Sequence, residues 1–291
     1  MARHRIATHL ALLTVGLAGG CRTPPSRDGV SGKVLVLPGV ANVRFHLAGF
    51  VRMLQDRHPG LEVDVRTWGP PLHSLENLRS YQRNIEAARD LADEVTAFRR
   101  AHPDALMDIV GYSGGGGVAL FVVRSLPDDV MINRLILVAP AISPDFPLAA
   151  DVLPHVSEFM VNYASTEDFQ VGWGTQHFGT MDRKNTVSAG FSGFTLEHPK
   201  LVQVHWRKDM IRHGHTGGHN AYLLTAWQRK YLLPALDPGL GVQEIRAVIA
   251  ERAAQGSDAR VGLLQPSYVA HGHPAFEVGS LMVGFACASG W

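Results

Sequence analysis

A five-residue stretch, Gly111-Tyr112-Ser113-Gly114-Gly115, restricts the fold of this chain more than any other. It sits between two apolar runs, Ala105-Leu106-Met107-Asp108-Ile109-Val110 and Val118-Ala119-Leu120-Phe121-Val122-Val123. The first reads as a buried strand and the second as a buried helix, so the chain must reverse within a few residues. A turn that tight strains the serine backbone and admits only small residues beside it. A strand–Ser–helix turn of this kind holds a hydroxyl out beyond the end of a sheet. The plain alternative is an ordinary glycine-rich turn. Only Gly111, Gly114 and Gly115 belong to the motif, and each further glycine inside the helix costs about 1 kcal/mol relative to alanine. Either the helix approaches its neighbours very closely there, or its first turn is simply loose.

The runs on either side extend this pattern. Lys33-Val34-Leu35-Val36-Leu37, ended by Pro38-Gly39, has the unbroken apolar character of a strand buried on both faces. Val43, Leu47, Phe50, Val51 and Leu54 recur at helical spacing until His58-Pro59-Gly60 stops them. Leu61 to Val65 reads as a short strand, and Tyr81 through Phe98 as a long helix ended by His102-Pro103. Leu135 to Val138 is another buried strand. Glu158 to Tyr163 and Leu201 to His205 are weaker candidates, and Ala221 to Leu233 reads as a helix stopped by Pro234. Alternating strands and helices of these lengths predict an α/β fold, with a mostly parallel central sheet and helices on both faces. A further amphipathic helix is expected over Val242 to Ala254.

The chain has 291 residues, 46% hydrophobic and 18% charged, enough for one domain with a substantial core. A formal net charge of +1 gives no reason to expect a nucleic acid partner. At the amino terminus, Arg3 and Arg5 precede an apolar stretch from Ile6 to Leu17, too short to span a bilayer, and small residues lead into Cys21. Leu17-Ala18-Gly19-Gly20-Cys21 resembles a bacterial lipoprotein processing site, with one glycine more than the usual pattern. Residues 1–21 are therefore expected to be an export signal with lipidation of Cys21; plain secretion or an uncleaved anchor are the alternatives. The protein is then expected in the bacterial cell envelope, held to the membrane by that lipid, or else secreted or periplasmic. Residues 22–32 read as a tether, 33–238 as the folded domain and 239–291 as an extension whose structure the sequence leaves open. Cys287, the other cysteine, is too isolated to imply a disulfide framework.

A serine hydroxyl needs a base, usually histidine, oriented by a carboxylate. In architectures built around such a turn the acid and then the base follow the serine along the chain. Asp168, in Ser165-Thr166-Glu167-Asp168, follows a candidate strand and is the first choice of acid, with Glu167 and Asp182 as alternatives. The bland reading of Asp168 is a loop charge or a helix cap. For the base, His219 in Gly217-Gly218-His219 is preferred over His215, because two glycines would let that loop close over the serine. His213, His215 and His219 also form a spacing that neutral imidazoles can use to bind zinc, which would make the chain a metallohydrolase. The oxyanion donors are expected to be the N–H groups of Gly114 and of Val40, with Ala41 as runner-up; Pro38 has none to give. Trp173, Phe178, Phe191 and Phe194 could line an acyl pocket or simply belong to the core.

Together Leu37-Pro38-Gly39, the Gly111–Gly115 turn, Ser165–Asp168 and Gly217-Gly218-His219 resemble the α/β-hydrolase superfamily over roughly Lys33 to Pro234. The resemblance implies an α/β-hydrolase fold and hydrolysis of a small-molecule or lipid ester through an acyl-enzyme, with no metal or organic cofactor. An acyltransferase would share the same machinery, and a non-catalytic envelope binding protein could keep the fold. Pro-Gly stands where lipases often carry His-Gly, which argues against a specific lipase reading. The short interval between Val138 and Glu158 leaves little room for a lid.

Overall fold

The computed structural model describes residues 31–247. Cys21, Cys287, the segment read as an export signal and most of the tail lie outside the described residues. Among the described residues no helix is long and apolar enough to cross a membrane.

Six strands form one sheet: β1 (Gly32–Leu37), β2 (Leu61–Val65), β3 (Leu106–Tyr112), β4 (Ile132–Val138), β5 (Val156–Ala164) and β6 (Leu201–His205). Their order is β2-β1-β3-β4-β5-β6 and every neighbouring pair is parallel. The central strands are mostly apolar because side chains alternate between two covered faces, the charged exceptions being Asp108 and Arg134. Leu35, Leu37, Met107, Ile109, Leu135 and Leu137 join one core. Val34, Val36, Val110, Ile136, Val138 and Val161 join the other. The parallel sheet with helices on both faces that the superfamily resemblance implies is what the chain forms.

Helices α1 (Ala48–Arg57), α2 (Ser74–Arg79), α3 (Tyr81–Ala101), α4 (Gly114–Arg124), α5 (Leu148–Asp151) and α6 (Phe169–Phe178) follow in order. α3 and α4 cover the first face, while α1 and the carboxy-terminal helical segment cover the second. Every residue of α4 from Gly114 to Val123 is buried. The four glycines of its first turn answer the question left open by the sequence. An added Cβ would stand 2.4 Å from Val40 at Gly114, 2.3 Å from the Leu37 and Pro38 carbonyls at Gly115, 2.7 Å from Pro140 at Gly116 and 2.7 Å from Met181 at Gly117. The turn is pressed against its neighbours on all sides rather than loose.

Several boundaries differ from the sequence reading. β1 begins at Gly32, one residue inside the stretch read as a tether. Val43 lies before the helical residues, which start with a 3-10 turn at Phe45 and continue into α1. The helix expected from Ala221 to Leu233 is broken into a 3-10 turn (His219–Leu223), an α-turn (Thr225–Trp227), a π-turn (Gln228–Leu232) and a 3-10 turn (Leu233–Leu236). Pro234 does not stop it. Proline falls at the start of the last turn, where its missing N–H is not needed. Leu240 and Val242 pack on the second core and Ile245 is buried in it, so the packed body continues past residue 238. The expected helix over Val242 to Ala254 is helical through the last described residues, 242–247, and lies outside them thereafter.

One buried ion pair crosses the sheet. Asp108 of β3 and Arg134 of β4 are register partners, both with fully buried side chains, joined at 3.0 and 2.5 Å. Arg134 also donates to the Asp237 carbonyl at 2.7 Å, and the Asp237 carboxylate accepts from Arg57 and contacts His58.

Candidate active site

In a parallel sheet all carboxyl ends lie on one side, and a crevice opens where the strand order reverses direction. Here that point falls between β1 and β3, because β2 lies outward of β1 on one side and β4 outward of β3 on the other. The loop after β1 carries Gly39 and Val40; the turn after β3 carries Ser113.

Ser113 has φ 55° and ψ −123°, a conformation that costs about 1–3 kcal/mol unless the surroundings impose it. They do impose it. Its N–H donates to the Val138 carbonyl at 2.8 Å, and its own carbonyl accepts from Gly116 at 2.9 Å and Ala141 at 3.0 Å. At Gly111 a side chain would run into the Gly115 carbonyl and Gly116, which explains the glycine before the turn. On the other flank, a Cβ built on Gly39 would lie 3.3 Å from the Ser113 Cβ, and one on Gly114 would lie 3.3 Å from the Val40 nitrogen. The loop after β1 is thus packed directly on the serine turn.

Asp168 is fully buried at the amino-terminal cap of α6. One carboxylate oxygen accepts from the Val171 N–H at 3.0 Å, and the other lies 2.6 Å from Nδ1 of His219. The two readings offered for this residue are therefore both true of its geometry: it caps a helix, and it holds an imidazole. The cap fixes the carboxylate where its second oxygen meets the imidazole. His219 keeps 7% of its surface exposed and Ser113 6%, so the site is narrow.

Two contacts join the acid loop to the histidine loop. Ser165 Oγ donates to the Gly217 carbonyl at 2.7 Å. Gly217 has φ 98°, and a side chain there would strike the Glu167 Cβ at 2.5 Å. The glycine at 217 serves close packing on the acid loop, not closure over the serine as the sequence suggested, and a Cβ built on Gly218 would meet nothing within 4 Å.

The other candidates are placed elsewhere. Glu167 is exposed, beside Gly217. Asp182 accepts from the Ser143 N–H at 3.1 Å, from the Ser143 hydroxyl and from Thr180 at 2.5 Å, so it holds two loops together. His215 is fully buried against Tyr222 and Trp227, with Nδ1 accepting from the Gly217 N–H at 3.0 Å. Burial pushes its pKa down to about 4, partly opposed by the charge of Asp168. A neutral imidazole packed among aromatic rings has no route to the serine. The zinc reading fails for the same reason: His219 faces Asp168, His215 faces Tyr222, and His213 packs on Tyr231. Among the described residues no group of three or more His, Cys, Asp or Glu side chains could hold a metal. Of the four aromatics considered for an acyl pocket, Phe194 is core, Phe191 packs under Gly172, and Trp173 stacks on Phe169. Phe178 alone among them lines a cavity described below.

Three further residues shape the site and were not singled out from the sequence. Tyr112, the variable position of the serine motif, stacks on the His219 ring at 5.0 Å, and its hydroxyl donates to the His219 carbonyl at 3.1 Å. Burial raises its pKa well above the usual phenol value, so it stays a neutral donor. Trp68 donates from Nε1 to the Pro38 carbonyl at 2.8 Å and lies against Gly114. Asn77 donates to the Val40 carbonyl at 2.7 Å and to the Pro70 carbonyl at 2.8 Å. Tyr112 was findable from its place in the motif; Trp68 and Asn77 act through distant contacts that leave no local signature.

No family model matches the chain, and no curated protein matches it. Among solved structures, a provisionally assigned cell surface hydrolase from Lactobacillus plantarum WCFS1 is 14% identical, with a TM-score of 0.42 over 76% of this chain and 97% of that one. A dienelactone hydrolase from Anabaena variabilis ATCC 29413 is 16% identical, with a TM-score of 0.41 over 72% and 86%. Trichoderma reesei cutinase, solved with a phosphonate inhibitor, is 15% identical, with a TM-score of 0.37 over 76% of each chain. Likeness at this level carries no argument about chemistry, and the site stands on its own geometry.

Proposed function

We propose that this protein is a serine hydrolase that cleaves a carboxylic ester or related acyl substrate through an acyl-enzyme. The observation that carries the reading is the 2.6 Å Asp168–His219 pair, with its imidazole stacked on the residue next to the strained Ser113. With Nδ1–H given to Asp168, Nε2 of His219 remains as the acceptor for the serine proton. Ser113 Oγ adds to the substrate carbonyl as its proton passes to His219. The resulting oxyanion is met by the N–H groups of Gly114 and Val40, each worth about 3 kcal/mol to the transition state. Collapse expels the alcohol, which takes the proton back from His219. Water then enters, gives its proton to His219 and releases the acid, restoring Ser113. The buried carboxylate stabilises the imidazolium formed in each half-reaction.

Treatment of the purified protein with a fluorophosphonate probe tests this reading. Labelling of the folded wild type, absent in Ser113→Ala and after heat denaturation, is expected. An unlabelled wild type that hydrolyses no ester would leave a non-catalytic binding protein as the better account. Transfer of the acyl group to an added alcohol in preference to water would instead make it an acyltransferase. The proposal extends to lipid attachment at Cys21 and residence in the cell envelope, supported by the basic, apolar and small residues that precede that cysteine. Incorporation of labelled fatty acid that Cys21→Ser abolishes is the expected result.

A further inference from the structure

A cavity of about 200 Å³ opens between α2 and the turn that follows α6, lined by Arg79, Phe178, Gly179, Thr180, Arg183 and Asn185. Its lining residues include two arginines, both exposed, and no acidic residue. The acidic residues nearby are committed elsewhere. Glu76 takes His73 at 2.9 Å and Arg83 at 2.7 Å, Asp145 takes Lys184 at 2.7 Å, and Asp182 takes Ser143 and Thr180. Neither Arg79 nor Arg183 has a side-chain partner among the described residues. Two like charges facing one small cavity repel each other, and an anion between them relieves the repulsion.

The turn fixes the backbone of Arg183, while its side chain is exposed. Thr180 N–H donates to the Lys184 carbonyl at 2.8 Å and Arg183 N–H to the Thr180 carbonyl at 2.9 Å. Arg183 has φ 69°, a left-handed conformation that asparagine or glycine would occupy more easily.

Both walls of the cavity are tied to the serine turn. α2 carries Asn77, whose side chain holds the Val40 carbonyl. On the other wall, Met181 follows Thr180, packs on Gly117 and donates its N–H to the Ala141 carbonyl at 2.9 Å; Ala141 in turn donates to the Ser113 carbonyl. Asn84 of α3 touches both walls, at the Asn77 carbonyl and the Met181 sulfur.

We propose that this cavity is a subsite for an anionic group, phosphate or carboxylate, carried by the substrate and held by Arg79 and Arg183. What the anion is attached to rests on the hydrolase reading above. The volume is below the roughly 300–1,000 Å³ of pockets that enclose a whole drug-sized ligand, and suits a single charged group. Arginine presents a planar fork of donors that fits either oxyanion in bidentate fashion, which a lysine pair would not.

Calorimetric titration of the purified protein with inorganic phosphate and with succinate separates the two anion chemistries without requiring turnover. At least one is expected to bind, and the Arg79→Gln/Arg183→Asn double variant to bind it about tenfold or more weakly, the loss of one charge-assisted hydrogen bond. Arg89→Gln, at an exposed arginine of α3, removes a charge away from the cavity and is expected to change nothing. Kinetics give the second arm: kcat/KM for p-nitrophenyl hydrogen adipate relative to p-nitrophenyl hexanoate, and for a 1-acylglycerol 3-phosphate relative to the monoacylglycerol. One charged member is expected to be preferred by wild type, with the ratio falling about tenfold in the double variant. Anion affinity equal in wild type and double variant overturns the proposal, as does binding with no change in either ratio. If Ser113 takes no fluorophosphonate and no ester is turned over, the hydrolase reading fails, while the phosphate and succinate titrations still decide whether the cavity binds an anion.

Discussion

The buried neutral His215 makes the stability of this protein depend on pH in a way that one substitution can isolate. Its ordinary pKa of 6.5 falls to about 4 in the folded chain, because the ring is enclosed by Tyr222 and Trp227. Above pH 6.5 the imidazole is neutral in both the folded and unfolded states, and it adds no pH dependence. Between pH 6.5 and 4 the unfolded chain binds a proton that the folded chain refuses, so stability falls as pH falls. The two values give a loss of about 2.5 kcal/mol by pH 4.5. His215→Asn keeps an acceptor oxygen where Nδ1 takes the Gly217 N–H and removes the titration. The smaller side chain leaves space that costs about 1–2 kcal/mol at every pH. Urea denaturation followed by tryptophan fluorescence from pH 8 to 4.5 checks this, since groups titrating in both proteins cancel in the difference. The wild-type advantage at pH 8 should shrink by about 2.5 kcal/mol on acidification and reverse sign near the lower end. A difference that stays constant across the range refutes the reasoning, and so would an imidazole pKa near 6.5 for His215 measured by NMR.

Two other substitutions follow from the hydrogen bonds of the site. Asp168→Asn should leave the melting temperature almost unchanged, because asparagine caps a helix as well as aspartate does, while hydrolysis of p-nitrophenyl butyrate falls about 10³- to 10⁴-fold. Equal losses of stability and activity would reduce the residue to its capping role. Tyr112→Phe keeps the ring on His219 and deletes the donor to its carbonyl, so kcat should fall by up to about tenfold with KM little changed. Steady-state kinetics that show a raised KM instead would assign the hydroxyl to substrate binding.

The parts of this molecule that could be read in advance are those where local sequence and tertiary structure agree. β1, β3 and β4 declare themselves because strands covered on both faces carry runs of apolar residues, Val34–Leu37, Ile109–Val110 and Leu135–Val138. The serine turn is legible because sterics alone require glycine on either side of Ser113. The carboxy-terminal helical segment misled because its apolar spacing is helical, whereas its hydrogen bonding changes from 3-10 to α to π and back to 3-10 between His219 and Leu236. Gly217 was noticed for the wrong reason, since its close neighbour, Glu167, lies fifty residues away. Trp68 and Asn77 left no trace because what they support, the loop after β1, is reached only once the chain has folded.

Asp237 gives the molecule an order of completion. Arg57 at the end of α1, His58 and Arg134 in β4 all converge on this one residue, which follows every strand among the described residues. A nascent polypeptide can therefore have all six strands outside the ribosome while Arg57 still lacks its carboxylate and Arg134, already paired with Asp108, lacks the Asp237 carbonyl. The junction of α1 with β4 closes last, when residue 237 emerges, so a truncation just short of it would undo that junction, at the end of β4 away from the serine turn.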